Sequence, residues 1–95
     1  MNRWPVRSKA HAKHRLRERF PGMKAARMVD EVRDALLAGR VAADRPAWLT
    51  PPPWGEHTYS LYAWTADKQR TYVLHTTDSA FVIVTVMEPN QQVAV

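Results

Sequence analysis

The apolar residues keep one period in the first part of the chain and another in the last, and this change restricts the fold more than any other feature. Up to Ala38 they recur at helical spacing, as Ala12, Leu16 and Phe20 and then as Ala25, Met28, Val29, Val32, Leu36 and Leu37. From Thr58 onward the period is two: Tyr59, Leu61 and Ala63 alternate with Ser60, Tyr62 and Trp64, and Gln69 to Thr76 is rich in Thr, Tyr and Val. Between them lies Val41 to His57, where Pro46, Pro51-Pro52-Pro53 and Gly55 block both regular helix and central strand. Helix, helix, then meander predicts an α+β sandwich, with two N-terminal helices packed on one face of a three- to four-stranded antiparallel sheet. At 95 residues the chain makes one domain over 1–95, with a single small core.

The punctuation divides that domain further. Residues 1–7 read as an extended lead-in, with Ser8 placed to cap the first helix. Pro21-Gly22 stops that helix, and a second runs from about Lys24 to Ala38, with Gly39 as its left-handed terminator. The connector, 40–57, carries Trp48 and Trp54 as apolar anchors, and Ala47-Trp48-Leu49 is a candidate edge strand. Ala66-Asp67-Lys68 turns the following hairpin, and Thr77-Asp78-Ser79 makes a second turn. Ala80 to Met87 is so continuously apolar that it should be a central strand; Gln91 to Val95 is either a last edge strand or frayed.

Without cysteine the chain has neither a disulfide framework nor a thiolate metal site, so hydrophobic burial must hold it. Its longest apolar run, Ala80 to Met87, is far short of the roughly 20 residues a membrane span needs, and the N-terminus is charged where a signal peptide is apolar. A soluble, cytoplasmic protein that does not engage the membrane is expected. The net charge of +5 is unevenly placed: residues 1–45 hold twelve Lys and Arg against five acids, and the remainder two against four. The positive field belongs to the helical half, where it attracts a polyanion.

On the first helix His11, Arg15 and Arg19 stand at i, i+4 and i+8 and form one stripe beside the apolar stripe of Ala12, Leu16 and Phe20. Cleaving RNA needs a base for the 2′-hydroxyl, an acid for the 5′-oxygen and cations to hold the phosphorane charge, and requires no cofactor. Histidine serves as either near neutral pH, and guanidinium forks match phosphate oxygens, so this stripe is a partial catalytic set. Lys13, Arg17 and Arg19 are candidate nucleic-acid contacts. His11 and His14 have a spacing that can bind a metal, but Lys13, Arg15 and Arg17 repel a cation there and no metal site is expected. Arg70 is one of two cations in the basic-poor half, and reads either as a second phosphate clamp or as a hairpin charge paired with Glu56, Asp67 or Asp78. Thr85 interrupts an apolar strand, as a site hydroxyl or as a buried side chain bonding backbone. Gly22, Gly39 and Gly55 make no phosphate loop, and there is no Gly-x-Ser-x-Gly elbow, so neither nucleotide hydrolysis nor acyl transfer has support.

Ser8-x-x-His11-Ala12-x-x-Arg15-x-x-x-Arg19, a Val/Leu-rich second helix ending in Gly39, a tyrosine-bearing hairpin with Arg70 and a final Val-Ile-Val-Thr-Val strand together resemble a family. The chain is similar, over roughly residues 8–87, to the small His-Ala-x-x-Arg domains of bacteria and phages, placed with the barnase, EndoU, colicin and RelE-like ribonuclease toxins. The resemblance implies metal-independent cleavage of cellular RNA between the first helix and the sheet, by a toxin whose partners are RNA and a cognate antitoxin. It implies His11 as acid or base, Arg15 and Arg19 as phosphate ligands, Arg70 as a strand cation and Thr85 as the polar residue of the last strand. Members of that superfamily differ in their catalytic residues, and the connector here is longer than the family minimum. Two non-catalytic readings stand beside it: an inhibitor that docks on a host protein through Trp48, Trp54 or Trp64, and a plain nucleic-acid-binding module.

Overall fold

A computed structural model of the chain describes residues 5–44, 46, 48, 60–77 and 79–88. Strand β1 (Val6–Ser8) leads into helices α1 (Ala10–Arg19) and α2 (Ala25–Ala38), followed by strands β2 (Val41–Ala42), β3 (Ser60–Trp64), β4 (Thr71–Thr76) and β5 (Phe81–Met87). The fold is α+β, with a five-stranded sheet of order β1-β5-β4-β3-β2. Four of the strands form antiparallel pairs, and β1 lies parallel to β5, with Val6 opposite Phe81 and Ser8 opposite Ile83. The sheet is therefore mixed and larger than the three to four antiparallel strands expected. Both extra strands come from segments too short to show a period: the lead-in supplies β1, and the start of the connector supplies β2.

Helix α1 is held by few apolar residues. Ala12 and Leu16 are buried, and Ala12 has no exposed surface, so the helix backbone lies close to the sheet. Ser8 is not its cap: it ends β1 beside Ile83, and Lys9 stands at the N-cap without a side-chain bond. Arg17 and Arg19 in the last turn complement the negative end of the helix dipole. In α2 the buried Met28, Val32 and Ala35 follow helical spacing, and Gly39 takes the left-handed conformation at φ 80° that ends the helix. Arg40 N–H then bonds Ala35 O, and Trp64 N–H bonds Arg40 O, which carries the chain directly into β2 beside β3.

The helices share one face of the sheet, where Ala12, Leu16, Met28, Val32 and Ala35 pack with Ala63, Tyr72, Leu74, Ile83 and Val86. The opposite face carries a second cluster of Tyr62 and Met87 with Trp48, Trp64 and Val73. A bulge joins the two patterns. Leu74 pairs with Ile83 but Val73 pairs with Thr85, which leaves Val84 as the extra residue. Directly opposed residues share a face. Ile83 therefore faces the helices with Leu74, and Thr85 faces the far side with Val73. Simple alternation along β5 would have put Ile83 and Thr85 together.

Trp54, His57, Pro51-Pro52-Pro53 and the tail from Gln91 to Val95 lie outside the described residues, as do Ala47 and Leu49 of the suggested edge strand. Among the described residues no helix is long and apolar enough to cross a membrane.

Candidate active site

The flank of α1 that carries His11 is built by its neighbours. Because Ala12 and Leu16 turn into the core, His11 and Arg15 emerge beside them at the helix surface. Arg15 Nε–H donates to His11 Nε2 at 3.4 Å, and Arg15 Nη1 donates to Glu18 Oε1 at 2.9 Å. The other carboxylate oxygen, Oε2, meets His14 Nε2 at 3.1 Å. The Arg15 hydrogen bond, aided by the charges of His14, Arg15 and Arg19, holds the Glu18 carboxyl below the usual carboxylate range. Arg19, on the same flank, donates from Nη1 to Val86 O at 2.9 Å and so ties α1 to the end of β5.

Lys13 and Arg17 are exposed but belong elsewhere. Residues two apart on a helix do not face each other, so Lys13 and Arg17 lie across α1 from Arg15. The basic stretch thus divides into two flanks rather than one cationic face.

Arg70 does not join the α1 flank as a free clamp. Its Nε and Nη2 donate to the two carboxylate oxygens of Glu31 at 2.7 and 2.6 Å, a bidentate pair in which both side chains are mostly buried. Tyr72 Oη donates to Glu31 Oε1, and the Arg70 guanidinium lies 5.5 Å from the Phe20 ring. Burial alone would raise the Glu31 carboxyl, but the bonds from Arg70 and Tyr72 and the charges of Arg70 and Arg27 outweigh it and hold it low. Burial, then Glu31, pushes the Tyr72 phenol up, and Glu31 raises Arg70 against the opposing effect of burial. Its partner is thus Glu31 of α2 rather than Asp67 of the hairpin turn, while Glu56 and Asp78 lie outside the described residues.

Thr85 is 2 % exposed, and its hydroxyl has no hydrogen-bond partner among the described residues. The bulge puts it on the face opposite α1, so it cannot share a site with His11. Trp48 and Trp64 meet edge to face at 5.1 Å on that far side, and Lys68 Nζ lies 4.5 Å from the Trp48 ring. Both indoles are engaged within the fold.

A cleft of about 470 Å³ opens between α2 and the β3–β4 turn, lined in part by Arg27, Asp30, Glu31, Asp34, Asp67 and Arg70. His11 is not in its wall. Of its charged lining residues the carboxylates outnumber the guanidiniums, and Arg70 is already paired, so it offers no home to a phosphate. Among the described residues no three His, Asp or Glu side chains gather as a metal-ligand set.

Sequence spacing thus brings His11, Arg15 and Arg19 onto one flank, and the fold removes Arg70 and Thr85 from it. Glu18 was overlooked, although its position three after Arg15 and four after His14 is the spacing of helix ion pairs. Tyr72, two residues after Arg70, shares its side of the strand by simple alternation, but Glu31, which both of them bond, is brought there only by the tertiary fold. No family model matches the chain, and comparisons with curated proteins and with solved structures return no match.

Proposed function

We propose that the chain is a metal-independent endoribonuclease of the toxin type, with its site on the exposed flank of α1. The contact between His11 Nε2 and Arg15 Nε carries this reading: a proton acceptor stands 3.4 Å from a guanidinium, with Arg19 on the same flank. His11 takes the proton of a ribose 2′-hydroxyl, and the 2′-oxygen attacks the adjacent phosphorus. Arg15 and Arg19 hold the charge that builds on the phosphorane oxygens. The P–O5′ bond breaks, and the protonated His11 returns its proton to the departing 5′-oxygen, leaving a 2′,3′-cyclic phosphate. The 3.4 Å contact is long for a hydrogen bond, so a substrate hydroxyl can replace it and free Arg15 for the phosphate. The family resemblance supports the same assignment of His11 and Arg15.

Purified protein and labelled total RNA in EDTA test the proposal. Fragments ending in 2′,3′-cyclic phosphate are expected, with a loss of about 10²–10⁴-fold in His11→Ala. Cleavage at the parental rate by both His11→Ala and Arg15→Ala would overturn the assignment.

One observation favours a second reading, a module that binds RNA without cutting it. With Arg70 engaged by Glu31 and Thr85 on the far face, the reacting set shrinks to His11 and its neighbouring arginines. Salt-sensitive binding with no fragments in the same assay is the outcome that selects it. Docking on a host protein through Trp48 or Trp64 has less support, since these rings pack on one another.

A further inference from the structure

We propose that Glu18 is a positioning residue for His11, acting through Arg15 to leave His11 Nε2 without a proton, so that it can accept one when a substrate hydroxyl replaces the Arg15 contact. This rests on the ribonuclease reading above. Arg15 has a flat guanidinium, so fixing one of its nitrogens orients the others. Glu18 Oε1 takes Nη1 at 2.9 Å, and with that edge held, Nε–H points at His11 Nε2. A nitrogen that accepts from Nε–H carries no proton of its own, so the neutral His11 ring keeps its proton on Nδ1. His14 holds the second Glu18 oxygen at 3.1 Å, which limits rotation of the carboxylate away from Arg15. The relay His14, Glu18, Arg15, His11 runs along the helix within single turns and needs no other element to order it.

The charge of Glu18 gives a second argument. A carboxylate 44 % exposed on a flank that receives a polyanion opposes binding. Its position is therefore unexplained by affinity and explained by orientation. Removing it should move binding and reaction in opposite directions, which loss of a merely structural contact would not do.

The test uses the full chain with Glu18→Ala and Glu18→Gln. Imidazole ¹⁵N shifts of the free protein report the His11 tautomer, and single-turnover cleavage is followed on an RNA oligonucleotide. Affinity is measured with the same oligonucleotide carrying a 2′-deoxy sugar at the cleaved position. In Glu18→Ala the population of His11 with bare Nε2 should fall about two- to fivefold, the range that one exposed ion pair can support, and cleavage should fall with it. Affinity for the uncut oligonucleotide should hold or tighten. Glu18→Gln keeps an acceptor oxygen and should recover part of the tautomer bias. An unchanged tautomer in Glu18→Ala, or a fall in affinity that accounts for the lost cleavage, overturns the proposal. If the parent cuts no RNA, the ribonuclease reading fails alone, because the tautomer measurement needs no activity.

Discussion

Glu31 accepts from Arg70 through both oxygens and from Tyr72 through one, and Arg27 adds a contact at 3.5 Å. One carboxylate thereby joins α2 to the start of β4. Its folded-state pKa lies below the ordinary value of 4.5, so the network stabilises the protein above that pH and fades as acid protonates Glu31. Glu31→Gln should cost roughly 2–3 kcal/mol at pH 7, read from urea unfolding. The gap between parent and variant should then narrow as pH falls from about 5 towards 3. Arg70 illustrates a limit of local reading. Its isolation among neutral and acidic neighbours was legible and made it look like a functional cation, but its partner sits 39 positions earlier in the chain. Nothing in the spacing around Arg70 could point there, whereas the flank of His11 and Arg15 was legible because a helix fixes which residues are neighbours.

Elements differ in the same way. Both helices were legible from apolar spacing and their Pro-Gly and Gly terminators, and β3, β4 and β5 from alternation and composition. Strands β1 and β2, of three and two residues, exist through pairing with β5 and β3 and leave no periodic trace of their own. The bulge at Val84 was hidden for another reason: in an unbroken apolar run either face is acceptable to each residue, so the run does not say where alternation slips. The left-handed Gly39 was visible, and its role can be measured. Among the described residues a Cβ at this position would meet no atom within 4 Å beyond its own chain neighbours, so Gly39→Ala isolates the backbone cost of φ 80°. A loss of about 1–2 kcal/mol in chemical denaturation is expected, with little change in the slope of the transition.

For the molecule as a whole, the uneven charge matters through its field as well as through contacts. Lys13 and Arg17 lie across α1 from the His11 flank, so under the proposed ribonuclease reading they should raise the encounter rate with RNA without touching the reacting phosphate. Replacing both by Ala should slow association and leave single-turnover cleavage of bound RNA unchanged. In a plot of log affinity against log salt, Arg15→Ala should flatten the slope by about 0.7, the value for one single-strand phosphate contact, and the Lys13/Arg17 double variant by less per charge.

The parallel pairing of Val6 with Phe81 also has a temporal side. Translation makes β1 and α1 first, but the strand on which both rest is the last of the described elements to leave the ribosome. Until Ile83 and Val86 are made, Ala12 and Leu16 lack their sheet partners and Arg19 lacks the carbonyl that anchors it. The α1 flank is thus made before the strand that completes its packing. A nascent chain interrupted before β5 would carry the His11 motif with no surface to hold it.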